Sequence, residues 1–333
     1  MKRVLVTGGC GFIGSALCLH LVRDLKWSVV NVDKLTYAGR LANVAEIAND
    51  PLYSFHQLDI CDQPALEALM IAQAVDGIIH LAAETHVDRS ITGPADFIQT
   101  NVVGTQHLLE AARSYYDTLA AEKKASFRFH HVSTDEVFGD LPFDDSKFNE
   151  DSPYNPSSPY SASKAASDML VRAWHHTYDL PIVISNCSNN YGPRQFPEKL
   201  IPLMILNAIG GKPLPVYGNG RNVRDWLHVD DHARALAMIF ERGKNGKSYL
   251  VGGDAEHSNI EVVKTICTLL DQKQPKKDGT SYHNQITFVE DRPGHDRRYA
   301  IDCGKTKDEL GWKIYNGFRE GLGRTTEWYI SRL

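Results

Sequence analysis

Apolar positions in the first half of the chain alternate between short β-branched runs and stretches with helical spacing. Arg3-Val4-Leu5-Val6-Thr7 is one run and residues 28–33 are another. Between them Ile13, Leu17, Leu21 and Leu25 recur every fourth position, which places them on one face of a helix. The alternation continues with a strand over 53–58, a helix over 64–74 and a strand over 76–81. Pro94 opens a long helix through Phe97, Val102, Leu108, Leu109 and Ala112, and Asn101 in its middle is placed to hold a backbone group or a water. A strand over 127–132, a helix carrying Tyr160 and a sixth strand over 181–185 complete the run. Repeated strand–helix units of this kind predict an α/β fold built on a doubly wound parallel sheet.

The first strand leads into Gly8-Gly9-Cys10-Gly11-Phe12-Ile13-Gly14. In such a turn Gly8 permits the tight bend, Gly11 lets a pyrophosphate approach the backbone and Gly14 allows close packing of helix on strand. The helix start then offers unpaired N–H groups to phosphates. The second strand ends in Asp33, at the spacing expected of a carboxylate that binds a ribose. A carboxylate there repels a 2′-phosphate, so NAD is preferred over NADP, with Lys34 beside it moderating the preference. Small residues at Ala82 and Ala83 would let a cofactor lie against the backbone.

Residues 133–164 carry the candidate chemistry. Thr134, Asp135 and Glu136 fall where a strand gives way to a loop, the end of an open α/β sheet at which ligands bind. Tyr160 and Lys164 are one helical turn apart and share a face. An ammonium beside a phenol favours the phenolate, so Lys164 is expected to lower the pKa of Tyr160 and make it a general base for an alcohol.

Beyond Tyr191 the texture changes: prolines become frequent, strands shorten and the alternation is lost. Residues 291–298, Asp-Arg-Pro-Gly-His-Asp-Arg-Arg, are densely polar. The expected division is a Rossmann-type NAD-binding domain over 1–190, with segments near 225–250 returning to it. Residues 191–333 then form mainly a smaller, discontinuous substrate-binding lobe.

The 333 residues, 42% hydrophobic and 23% charged, fit a soluble globular chain with a sizeable core. A net charge of −5 without any basic block argues against a nucleic-acid partner. No stretch approaches the roughly 20 apolar residues of a membrane span, and Thr7-Gly8-Gly9 interrupts the first apolar run too early for a signal peptide. Six scattered cysteines, without a CxxC pair or clustered histidines, read as free thiols of a cytoplasmic protein and not as a metal site.

GGCGFIG, Asp33 and YSASK together resemble the extended short-chain dehydrogenases/reductases. HLAAETHVDRS, STDEVFG, NNYGPRQFPEKLIP, NVRDWLHVDDHARAL and DRPGHDRRYAID resemble, in order from Arg3 to about Trp328, the dTDP-glucose 4,6-dehydratases. The acid pair after Thr134 is the discriminating feature against plain epimerases. The resemblance implies conversion of dTDP-glucose to its 4-keto-6-deoxy product plus water. Tyr160 would deprotonate the sugar 4-OH, Lys164 would hold the nicotinamide ribose and Thr134 the 4-oxygen. NAD would take hydride from C4; Glu136 would remove the C5 proton and Asp135 protonate the departing 6-OH, before hydride returns to C6. It further implies that Gly8, Gly11, Phe12, Ile13, Gly14, Asp33, Lys34, Leu35, Thr36, Asp59, Ile60, Leu81, Ala82, Ala83, Thr100 and Asn190 line NAD with Tyr160 and Lys164. Thr85, Thr134, Asn189, Lys199, Leu200, Tyr217, Arg224, Asn259, Asp291, Arg292 and His295 would hold the sugar nucleotide, Arg224 as a bidentate diphosphate clamp. A homodimer paired through the helices from Pro94 and Tyr160 is implied as well. Two departures from the family pattern are Cys10, where alanine is usual, and Arg194, where tyrosine is common. A dehydratase or 4-epimerase for another nucleotide sugar would use the same Tyr160, Lys164 and NAD. A nucleotide-sensing protein without turnover fits less well, because the full set of reactive residues is present.

Overall fold

The structure is a computed structural model and describes residues 2–332. Six strands follow in chain order: β1 Arg3–Thr7, β2 Ser28–Asp33, β3 Tyr53–Gln57, β4 Gly77–His80, β5 Arg128–Thr134 and β6 Ile182–Cys187. Then come β7 Asn189–Tyr191, β8 Leu214–Tyr217, β9 Val223–His228, β10 Ser248–Val251, β11 Glu256–Ser258 and β12 Ile286–Val289. A seven-stranded sheet has the order β10-β6-β5-β4-β1-β2-β3. Every pair within it is parallel.

Both faces of this sheet are covered, which is why β1, β4 and β6 are buried along nearly their whole length and rich in Val, Ile and Leu. Val4, Val6, Val29 and Ile79 point to one side, where they pack with Leu17, Leu21, Leu236 and Phe240 from the helices Phe12–Arg23 and Val229–Arg242. Leu5, Val30, Val32 and Ile78 alternate to the other, against the helices Gln63–Gln73, Thr105–Thr118 and Pro159–Tyr178. The helix Val229–Arg242 and β10 come late in the chain yet pack with this layer. Strand order reverses between β1 and β4, so a crevice opens at their carboxyl ends, where Thr7 runs into the glycine turn.

The remaining elements form a smaller cluster. β11, β9 and β7 make a three-stranded sheet and β8 pairs with β12. They surround a separate apolar core with the helices Leu200–Ile209, Asn259–Lys273 and Phe318–Ile330.

Two elements differ from the sequence expectation. β5 runs on through Thr134, so the acid pair starts a one-turn 3-10 helix, Asp135–Phe138, at the strand's end. The helix from Pro94 is not regular: a π-helical segment, Ile98–Gly104, separates Pro94–Phe97 from Thr105–Thr118. The cause is tertiary. Asn101 Oδ1 accepts from the Glu84 N–H at 2.8 Å, while its Nδ2 donates to the Glu84 carbonyl at 3.0 Å and to Ser163 Oγ at 2.8 Å. Asn101 therefore does hold backbone groups, and the widened turn carries Thr100 to the wall of the crevice.

Candidate active site

One large cavity runs from the glycine turn to Lys199 along the carboxyl ends of the big sheet. Its wall includes Gly8, Gly11, Phe12, Ile13, Gly14, Asp33, Lys34, Thr36, Ile60, Leu81, Ala82, Ala83, Thr100 and Asn190. Thr85, Thr134, Asp135, Glu136, Tyr160, Lys164, Asn189 and Lys199 line it too. These residues come from the ends of several strands and from several helices, and the fold brings them to a single space.

The nucleotide end fits a dinucleotide. Gly8 has φ +72°, and a Cβ there would meet Ala82 N at 2.7 Å; a Cβ on Gly14 would meet the Gly8 carbonyl oxygen at 2.1 Å. The helix Phe12–Arg23 starts at Gly11 without any side-chain cap, so the N–H groups of its first turn stay available at the cavity wall. Asp33 accepts from the Cys10 N–H at 2.9 Å and from the Leu35 N–H at 2.8 Å, which fixes its carboxyl at the end of β2. Leu35 turns away through a left-handed conformation (φ 59°), and Asp59 stands behind Lys34, 3.5 Å from its ammonium. Both flank the cavity without forming its wall. Cys10 is buried with Sγ 3.3 Å from Asn31 Nδ2, and burial pushes its thiol up to about 12, so it is a packing group.

At the reacting end Thr134 Oγ1 donates to Asp135 Oδ1 at 3.3 Å and accepts from the Glu136 N–H at 3.3 Å. Burial and the neighbouring Glu136 charge raise Asp135 well above the ordinary carboxylate range, and its Oδ2 is buried without a hydrogen-bond partner among the described residues. Burial raises Glu136 as well, but Arg292, Arg224 and Lys199 oppose the shift. Adjacent carboxyls thus sit in different charge environments, one biased to the acid and one held nearer the anion.

The Tyr160–Lys164 pair corrects the sequence expectation. Both side chains are buried on one helix, but burial and the charge of Glu136 push the phenol up, not down. The Lys164 ammonium donates to the Val132 carbonyl at 3.0 Å and lies 3.5 Å from His131 Nε2. Spacing alone reports the shared face, whereas the sign of the shift depends on what else surrounds the phenol.

The other expected residues belong to the smaller cluster. Leu200 begins the helix Leu200–Ile209, and Asn259 begins the helix after β11, next to β9. Tyr217 OH lies 3.3 Å from Asp88 Oδ2, Arg292 donates to Asp88 Oδ1 at 3.1 Å, and His295 pairs with Asp291 at 2.6 Å. Arg224 is buried, with donors on the carbonyls of Val223 (2.8 Å) and Asp296 (2.9 Å) and its guanidinium 4.3 Å from the Tyr299 ring centroid. Its fork is therefore engaged by backbone, although its charge reaches both Asp135 and Glu136.

Sequence reading missed a clasp across the cavity mouth. Glu198 accepts from Tyr37 OH at 3.0 Å and faces His86 at 3.6 Å and Arg89 at 3.4 Å, while the Arg89 guanidinium stacks 3.7 Å from the Tyr37 ring centroid. Lys199 Nζ donates to the Thr85 carbonyl at 2.7 Å beside it. Adjacent opposite charges, Glu198-Lys199, inside a proline- and aromatic-rich segment were the available signal.

A Rossmann-type crevice, an uncapped glycine turn and a buried Tyr–Lys pair on one helix define an enzyme of the extended short-chain dehydrogenase/reductase type. More narrowly, the chain belongs to the family whose model is described as GDP-mannose 4,6 dehydratase, which matches residues 5–325. It is 57% identical to a dTDP-glucose 4,6-dehydratase of Neisseria gonorrhoeae, over 99% of this chain and 96% of that one. It is also 57% identical to dTDP-glucose 4,6-dehydratase 1 of Escherichia coli K12, over 99% and 93%. Among solved structures, the DesIV dTDP-glucose 4,6-dehydratase of Streptomyces venezuelae, with NAD and TYD bound, superposes with a TM-score of 0.90. That pair is 43% identical, with 99% of this chain and 97% of the other covered.

Proposed function

We propose that this chain converts dTDP-glucose to dTDP-4-keto-6-deoxyglucose and water, as an NAD-dependent hydro-lyase. One observation carries the reading: Thr134, Asp135 and Glu136 share the cavity with Tyr160 and Lys164, and burial raises both carboxyls, Asp135 well above its ordinary range, while three cations oppose the rise at Glu136. An oxidation site needs the Tyr–Lys pair alone; an elimination needs an acid and a base beside it.

Bound NAD supplies a store for the hydride that leaves C4 and later joins C6. Gly8, the first turn of the helix Phe12–Arg23, Asp33 and Lys34 would hold its adenosine and diphosphate. The chain's own groups move the protons. Tyr160 takes the proton of the 4-hydroxyl, and Lys164 stands one turn further along the same helix, on the same face. Thr134 Oγ1 orients the 4-oxygen. With a carbonyl at C4 the C5–H becomes acidic, and Glu136, kept nearer its anion by Arg224, Arg292 and Lys199, accepts that proton. Asp135, whose setting favours the acid, donates to the departing 6-hydroxyl. Lys199, Arg224 and Arg292 supply positive charge for the sugar diphosphate.

The smaller cluster is read as the substrate lobe. Pairing through the helices around Ile98 and Met169 is supported by their exposure, 49% for each side chain, on elements packed against one another. A cytoplasmic setting accords with six free thiols, five of them buried. Among the described residues no helix is long and apolar enough to cross a membrane. Incubation with a panel of dTDP-, UDP-, GDP- and CDP-hexoses tests the function. Loss of one water mass from dTDP-glucose is expected; loss from another nucleotide sugar instead, or epimerisation without water loss, overturns the substrate or the reaction.

A further inference from the structure

Behind Lys164 lies a charge that the reaction itself does not use. Asp168 is one helical turn further on, 0% exposed, and Lys164 is 4% exposed. Asp168 Oδ2 accepts from Tyr154 OH at 2.8 Å and from Asn186 Nδ2 at 3.2 Å. Its Oδ1 forms no hydrogen bond by geometry among the described residues, and His131 Nε2 lies 3.1 Å from it, with Ser133 also close to the carboxylate. The same Nε2 lies 3.5 Å from the Lys164 ammonium, so the imidazole stands between anion and cation. Leaving either charge buried alone would cost several kcal/mol, whereas a direct ion pair would draw the ammonium away from the cavity.

We propose that Asp168 is the counter-charge of Lys164 and a positioning residue for the Tyr160–Lys164 pair, with His131 as the spacer that keeps the ammonium turned to the cavity. This rests on the reading of Lys164 as a working ammonium. The titratable groups acting on Lys164 from the packed elements are His80 on β4, His131 on β5, Cys187 on β6 and Asp168 on its own helix. Burial holds His131 down at about 4 and His80 well below its ordinary value, and it raises the Cys187 thiol. The two rings are thus neutral and the thiol protonated near pH 7. Asp168, whose own pKa is lowered despite burial, is the anion that remains.

The test is the pH dependence of kcat/KM on dTDP-glucose, together with NAD retained by the holoenzyme after dialysis at each pH. Asp168→Asn should move the alkaline limb down by about 1–3 pH units, the shift an opposite charge exerts at this range, with NAD loss setting in at correspondingly lower pH. Tyr154→Phe removes a donor to the same carboxylate but leaves its charge, so its limb should stay with wild type while thermal stability falls. If Asp168→Asn behaves like Tyr154→Phe, the carboxylate is only a packing group and the proposal fails. Should Asp168→Asn not fold, His131→Ala decides. Removal of the spacer lets the pair close and should move the limb up; an unmoved limb overturns the proposal. A wild-type protein inactive on every nucleotide sugar would instead sink the function, and NAD retention against pH would still read the role of Asp168.

Discussion

Asp135 and Glu136 are chain neighbours, yet Arg292, Arg224 and Lys199 all act on Glu136, whereas of these only Arg224 is a main influence on Asp135, which is buried with one oxygen unpartnered among the described residues. Their roles should separate by isotope exchange. Glu136→Gln keeps the shape and removes the base, so incorporation of solvent deuterium at C5 should fall by about 10²–10⁴-fold. Asp135→Asn should still exchange at C5 but release the 6-hydroxyl slowly. Wild-type exchange in Glu136→Gln would reassign the base.

Stability should move the other way at Asp135. Its folded pKa is raised, so the native state binds more protons than the unfolded chain between the ordinary carboxylate value and the folded one. Stability is therefore lost as pH rises through that window. Above it, Asp135→Asn removes the burial cost and should melt higher than wild type. A lower Tm for Asp135→Asn at pH 8 would count against the buried charge.

Arg224→Ala should raise KM for dTDP-glucose by the loss of bonds to a charged group, about 1.5–3 kcal/mol for each. Arg224→Lys should recover part of it, since an ammonium lacks the planar fork. Steady-state kinetics with melting curves would decide. A fall in Tm with KM unchanged would make Arg224 a brace for the Val223 and Asp296 carbonyls.

Gly14→Ala places a methyl 2.1 Å from the Gly8 carbonyl oxygen, so the glycine turn must open. Overpacking of this kind costs about 1–3 kcal/mol, and NAD released on denaturing the purified protein should drop sharply. Full NAD content would show that the turn yields without harm.

Met169→Glu puts a charge on the exposed face proposed for pairing. Sedimentation equilibrium should move from dimer to monomer mass, with the NAD site intact. A dimeric variant would place the interface elsewhere.

The large sheet was legible because β1, β2, β4 and β6 are buried and rich in Val, Ile and Leu, and turn residues punctuate the alternation of strand and helix. The glycine turn, Asp33 and the Tyr160–Lys164 spacing are local patterns, so they could be read directly. What escaped was set by distant residues. The π-segment arises because Asn101 answers the backbone of Glu84, and apolar spacing is blind to that. The rise of the Tyr160 pKa comes from burial and the Glu136 charge, and the contrast between Asp135 and Glu136 depends on Lys199, Arg224 and Arg292, delivered by separate loops and strands. The clasp around Glu198 joins three segments whose meeting no short-range pattern announces.

The amide of Asn101 joins the loop after β4, the π-turn and the Tyr160 helix in one joint, with Glu84 on one side and Ser163 on the other. These three parts must travel together. The smaller cluster meets this joint's side of the cavity where Lys199 holds the Thr85 carbonyl and Arg292 holds Asp88. Asn101 thus braces the helix of Tyr160 from the sheet side, and the cations Lys199 and Arg292 reach across to it from the smaller cluster.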